Sequence, residues 1–174
     1  MTNNSTKVIT GKVRFSYANV WQPKSINGGD EKYSVCIIIP KSDKVTISKI
    51  GQAIELAKKE GAAKLTTVTP ENLKLPIHDG DAERAEDEAY ENTYYINANS
   101  NLKPGIVDRN LKAIVEESKF YSGCYGRASI VFYAYNSNGN TGIACALHNL
   151  QKLEEGTQLS GRSRAEDDFD DFLD

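Results

Sequence analysis

Between Tyr125 and Tyr135 the side chains separate into two sets at a period of two, a pattern that few folds can use. Gly126, Ala128, Ile130, Phe132 and Ala134 form a small, apolar set. Tyr125, Arg127, Ser129, Val131, Tyr133 and Tyr135 form the other. The stretch reads as a strand with one face in a core and an aromatic, basic face outside it. Asn136-Ser-Asn-Gly-Asn140 follows as a hairpin turn. Thr141 to Leu150, rich in Gly and Ala, is then the return strand of a closely packed barrel.

The rest of the chain supplies the other walls. Lys7 to Trp21 reads as one long strand, with Val13, Phe15, Tyr17, Asn19 and Trp21 on one side and Lys12, Arg14, Ser16, Ala18 and Val20 on the other; Pro23 ends it. Lys24 to Lys32, with Asn27-Gly-Gly-Asp30, is a hairpin loop, and Tyr33 to Ile39 a buried strand closed by Pro40. Ser42 or Asp43 caps a helix whose Ile47, Ile50, Ile54 and Ala57 recur at helical spacing, with Gly61 as its stop. Leu73 to Ile77 and Tyr94 to Asn99 read as further strands. Ile106 to Val115, beside Pro104-Gly105, reads as strand rather than helix, and Gly123-Cys-Tyr-Gly126 as a strand entry or bulge. The class is mainly β within α+β: an OB-fold-like Greek-key barrel with one main helix, another small barrel or a sandwich being the alternatives. Residues 1–153 form the barrel domain, and 154–174 a flexible linker and disordered acidic tail.

Charge is unevenly placed. Ala165 to Asp174 holds six acids and no base beside Phe169, Phe172 and Leu173, too few apolar residues to offset the entropy of ordering. Without those acids, 21 bases face 18 acids; the Asp79 to Glu91 stretch takes seven more acids and only Arg84, which leaves 20 bases against 11 acids elsewhere. The tail, through Asp167, Asp168, Phe169, Asp170, Asp171 and Phe172, suits two roles: competing for a cationic groove as phosphates would, and entering a pocket on another protein. A plain solubility tail has the same composition.

Lys12, Arg14, Trp21, Tyr125, Arg127, Tyr133 and Tyr135 are the candidate contacts to nucleic acid. Every base has a π-face, each stack on an aromatic ring is worth roughly 1–3 kcal/mol, and cations alongside hold phosphates without reading sequence. The same tyrosines would also serve as ordinary strand residues with their hydroxyls at the edge. Asp79, Asp81, Glu83, Asp87 and Glu88 are the residue types of an oxygen-ligand metal site, as a metal-dependent nuclease would need, but their spacing matches no known loop and reads as solvated. His78 and His148 are isolated, Cys and His lack zinc spacing, and no phosphate loop occurs, so neither enzyme nor cofactor is expected. Cys36, Cys124 and Cys145 read as free, reduced thiols. No apolar run of about 18 residues exists and the N-terminus lacks a signal region, so a cytoplasmic protein with no membrane partner is expected.

Five segments in order, Ser16-Tyr-Ala-Asn19, Ile39-Pro-Lys-Ser-Asp43, Leu75-Pro-Ile-His-Asp-Gly-Asp81, Phe120-Tyr-Ser-Gly-Cys-Tyr-Gly126 and Ala165-Glu-Asp-Asp-Phe169, resemble a phage and prophage family of Gram-positive hosts. That family is described as single-stranded-DNA-binding and is likened to the OB-fold replication protein of certain coliphages. The resemblance implies a protein that coats single strands in phage replication and recombination and lends its tail to replication or recombination proteins. Members of such families often form homodimers. One departure is that Phe172 is followed by Leu173 and Asp174, where comparable tails end on an aromatic. A protein-interaction module without nucleic-acid binding is the remaining alternative.

Overall fold

A computed structural model describes residues 5–25, 29–137 and 139–159. The elements are β1 (Lys7–Ile9), β2 (Val13–Ser25), β3 (Glu31–Pro40), α1 (Lys44–Glu60), β4 (Ile77–Asp79), α2 (Gly80–Glu83), β5 (Thr93–Ser100), β6 (Gly105–Val107), β7 (Tyr125–Ser137) and β8 (Asn140–Glu154). β2 pairs antiparallel with β3 and β7, β3 with β5, and β7 with β8; β5 then meets β8 in parallel at Asn99 and Ala146. The five strands β7-β2-β3-β5-β8 thus close on themselves in the Greek-key order of an OB barrel. The seam between β5 and β8 is stitched by the chain just before α2. Lys74 N donates to Thr141 O (3.1 Å), Ile143 N donates to Lys74 O (2.9 Å), and β4 pairs with β5. Gly142 permits this approach, since a methyl group there would collide with the Lys74 carbonyl.

The alternation read on β7 is present in space: Gly126, Ala128, Ile130, Phe132 and Ala134 are buried, and the other set lies outside or partly outside. Phe15, Ile37, Ile39, Ile96, Ile130, Phe132 and Leu147 fill the barrel. Helix α1 covers the same core with Ile50, Ala53, Ile54 and Ala57, each fully buried isoleucine contributing about 1.5–3 kcal/mol. The Asp43 side chain accepts from Thr46 N (3.1 Å) at its start; Lys58 and Lys59 face the negative end of its dipole.

Other expectations need correction. Lys7 to Trp21 is not one strand. It breaks after Ile9, where Gly11 N donates to Thr46 Oγ1 (2.9 Å) and ties the turn to α1. β2 passes through Pro23, which falls in an irregular part of the β2–β3 ladder where its missing N–H costs no paired bond. A bulge between Ser16 and Asn19, with Tyr17 at φ 46°, shifts the alternation. Val13 and Phe15 point inward with Val20, while Tyr17 points out and does not share their side.

Within Ile106–Val115 only the first two residues belong to a strand, β6; the chain reverses at Leu111 (φ 66°) and returns to a bridge between Val107 and Ala113. Leu73 to Ile77 is the stitch, and its strand, β4, begins at Ile77. The acidic stretch is not merely a solvated loop. Asp79 caps α2, Asp87 caps a short 3-10 turn, and the buried Tyr90 packs with Tyr95 on Cys36 and Ile38, outside the barrel. Among the described residues no helix is long and apolar enough to cross a membrane.

Candidate nucleic-acid interface

The outer face of β7 does not form one patch. Tyr125 and Tyr133 are eight residues apart on it, about 26 Å at roughly 3.3 Å per residue. At the hairpin end Tyr133 pairs with Ala144 and Tyr135 with Gly142, both small partners; Tyr133 is exposed and Tyr135 half-buried. Tyr133 is 42 % exposed, and the burial of the rest of its ring pushes its hydroxyl pKa up, so it stays neutral. These two tyrosines line an open cleft of about 920 Å³ together with Lys32 from β3, Asn97 and Asn99 from β5, and the Leu73–His78 stitch. Lys32 forms no ion pair among the described residues. Lys74, also in the wall, donates its Nζ to Asn140 Oδ1.

At the opposite end Tyr125 is engaged by the two cations the sequence grouped with it. Lys12 Nζ lies 5.3 Å and Arg14 Cζ 5.2 Å from its ring centroid. Both cations have other partners. Lys12 pairs with Glu154 (2.6 Å), and Arg14 donates to Gly123 O (3.1 Å) and Thr157 O (2.8 Å). Arg127 donates Nε to Thr10 O (2.8 Å). Trp21 lies apart from both groups: half-buried against the core, it donates Nε1 to Phe120 O (2.9 Å), with Lys103 Nζ 5.0 Å from its ring. The structure therefore joins Lys12, Arg14 and Tyr125, separately joins Tyr133 and Tyr135, and leaves Trp21 packed.

A third grouping escaped the sequence reading. Arg84 donates Nη1 to Tyr17 Oη (3.2 Å), with its Cζ 5.4 Å from the ring of Tyr17, 5.2 Å from that of Tyr90 and 5.7 Å from that of Tyr95. Hydrogen bonds to Tyr17 and then Tyr95 hold its pKa above the ordinary arginine value. Tyr95 stacks on His78 (5.0 Å between centroids, 26° between planes), and His78 Nδ1 lies 3.1 Å from Glu83 Oε2. His78 is not isolated; it lines the Tyr133–Tyr135 cleft. The one available signal was Arg84 as the single base among seven acids.

Two of those acids, Asp79 and Asp81, serve the fold. Lys41 Nζ bridges Asp79 (2.8 Å) and Asp81 (2.7 Å), and its hydrogen bonds hold both carboxyls below the usual carboxylate range and its own pKa above the usual lysine one. Among the described residues, no group of three or more His, Cys, Asp or Glu side chains is placed to hold a metal ion. The three cysteines are buried and free, and desolvation pushes Cys36 up to about 11. Leu159, the last described residue, packs against the cluster of Cys36, Ile38, Tyr90 and Tyr95 and donates its N–H to Ser122 O (2.9 Å). The tail candidates Asp167, Asp168, Phe169, Asp170, Asp171 and Phe172 lie outside the described residues.

The family model described as "Enterobacter phage Enc34, ssDNA-binding protein" matches residues 6–174. A curated relative, "Putative protein p50" of Acyrthosiphon pisum secondary endosymbiont phage 1, is 28% identical over 175 residues, covering 95% of this chain and 94% of that protein. Among solved structures, the single-stranded DNA-binding protein of bacteriophage Enc34 in complex with ssDNA aligns with a TM-score of 0.80 at 24% identity, over 92% of this chain and 95% of that one. The single-stranded DNA binding protein gp2.5 of bacteriophage T7 aligns with a TM-score of 0.65 at 14% identity, over 94% and 99%. The two structural likenesses establish a shared fold.

Proposed function

The chain belongs to the family of the Enterobacter phage Enc34 ssDNA-binding protein, and from that premise we propose that it is a non-enzymatic protein that binds single-stranded DNA with little sequence preference. The observation that carries the reading is the cleft beside Tyr133 and Tyr135, where an exposed ring and a half-buried one stand next to Lys32 and the amides of Asn97 and Asn99. Rings accept unpaired bases, and lysine and amides meet the backbone. The cleft is lined by Lys32 at the start of β3 and by both strands of the β7–β8 hairpin, and an OB barrel uses the loops that join these strand pairs for oligonucleotides.

The finer parts of the proposal follow from charge and resemblance. The protein coats single strands during phage replication and recombination in the cytoplasm of a Gram-positive host. The tail from Asp167 to Phe172 competes for the basic surface and recruits replication or recombination proteins, and two copies associate as a homodimer.

The test is fluorescence of Trp21 and the tyrosines during titration with poly-deoxythymidine, using the full chain and one ended at Arg164, at low and high salt. Quenching that weakens with salt, as phosphate contacts require, and strengthens on truncation supports both groove and competing tail. No quenching in either form sinks the DNA-binding reading. Cleavage of the oligonucleotide on adding magnesium or manganese, abolished by Asp79→Ala, would replace it with a nuclease.

A further inference from the structure

We propose that Tyr17, backed by Arg84, is a second stacking position for an unpaired nucleobase, apart from the Tyr133–Tyr135 cleft; the inference rests on the single-strand reading above. Tyr17 has a backbone that a bulky side chain rarely adopts, φ 46°, at the apex of the β2 bulge. The bulge reverses the alternation at that point and turns the ring outward, 56 % exposed. Packing does not account for the conformation, because the ring is turned away from the core.

What holds the ring is Arg84, through the 3.2 Å bond to its hydroxyl and the guanidinium 5.4 Å from its centroid. Arg84 is itself fixed beside Tyr90 and Tyr95. An aromatic ring steadied by a cation and still more than half exposed is a surface for a flat π-system. The flanking acids decide which part of a nucleotide it takes. Glu86, Asp87 and Glu88 are exposed near Arg84 in sequence and would repel a phosphate, so the contact is to the base, with the backbone turned away. Position links the two stations. Arg84 touches Tyr95, Tyr95 stacks on His78, and His78 lines the cleft. Tyr95 and Tyr90 are buried, so the link is a packed layer beneath the surface, and the base-sized surface reappears at Tyr17.

The competing explanation is that Tyr17 only anchors the acidic segment through its hydroxyl, and substitution separates the two. Full-length wild type, Tyr17→Ala, Tyr17→Phe and Tyr133→Ala are titrated with deoxythymidine oligonucleotides at two salt concentrations. The titrations are repeated with a single abasic residue walked along the strand. Stacking predicts that Tyr17→Ala binds about tenfold more weakly at both salt concentrations, that Tyr17→Phe stays within about twofold, and that the alanine defect vanishes when the abasic residue occupies one particular position. Equal loss in the alanine and phenylalanine variants, or no loss with Tyr17→Ala while Tyr133→Ala binds weakly, overturns this inference alone. Wild type that binds no oligonucleotide overturns the underlying reading with it. Should Tyr17→Ala fail to fold, crosslinking of the wild type to iododeoxyuridine oligonucleotides decides: an adduct on Tyr17 supports the station, and adducts confined to Tyr133 and Tyr135 remove it.

Discussion

The two ends of β7 carry the same residue type beside a cleft, with different neighbours. At Tyr125 the ring is flanked by Lys12 and Arg14, and each cation is already bound elsewhere, to Glu154 or to main-chain carbonyls. At Tyr133 and Tyr135 the neighbours are Ala144 and Gly142, and the space beyond is a cleft. Tyr125, Lys12 and Arg14 also line a cleft, of about 1020 Å³, so the two ends differ in the prior commitment of their cations and not in the presence of open space. Tyr133 and Tyr135 stand beside small residues instead. The difference shows that aromatic and basic composition on a strand is a weak guide to binding until the partners of each cation are known.

Four experiments would break or sharpen this contrast. The largest effect is expected from Tyr133→Ala combined with Tyr135→Ala, which should weaken affinity for deoxythymidine oligonucleotides about 100-fold, since two stacks are removed; Tyr125→Ala should change it less than about threefold. Equal losses at both ends would erase the distinction. Gly126→Ala attacks the Tyr125 end through the backbone, because the new methyl would meet the Gln151 carbonyl. A stability loss of about 1–3 kcal/mol should appear as a lower denaturation midpoint, with the folded protein's affinity unchanged.

Lys32→Ala should lessen the slope of log affinity against log salt by about 0.7, one phosphate on a single strand. The same slope measured for Lys12→Ala should match wild type, because Lys12 is committed to Glu154. The smallest effect concerns the acidic segment. Lys41 lowers the folded pKa of Asp79 and Asp81, so the bridge contributes stability above the ordinary carboxylate value and loses it as pH falls through the lowered ones. The raised Lys41 pKa has the opposite sign, its contribution being complete below the ordinary lysine value and lost only as pH rises beyond it. Lys41→Met should therefore move the acid unfolding midpoint, followed by near-ultraviolet circular dichroism, to slightly higher pH. The two proteins should converge once the carboxyls are protonated.

The barrel was legible where its cause is local. Alternation on β7, the spacing of Ile50, Ile54 and Ala57, the Asp43 cap and the Gly61 stop are each set within one or two turns or along one strand, and all appear in place. The bulge at Tyr17 was not legible, because a positive φ in tyrosine has no residue signature and the chain beyond it alternates as expected with its sides exchanged. The acidic segment was misjudged for a related reason. Its net charge suggested solvation, while what holds it is a lysine 38 and 40 residues earlier in the chain and a tyrosine 67 residues from Arg84. Of the candidate interface, the tyrosines of β7 could be named from sequence. Which of them stand open depended on the β7–β8 register and on the stitch at Lys74.

That stitch and the ring it completes also fix an order of events during synthesis. β2 has its second neighbour in β7, and the seam of β5 closes only on β8, so both edges wait for residues 125–154, made late in translation. Until then the nascent chain carries β2, β3 and β5 with an uncovered apolar face, an unpaired β2 margin and a β5 margin covered only in part by β4, the condition in which β chains adhere to one another. Helix α1 is already made by that time and is the one element available to shield the face. Chains released before residue 154 should thus collect as aggregates rather than as smaller soluble barrels.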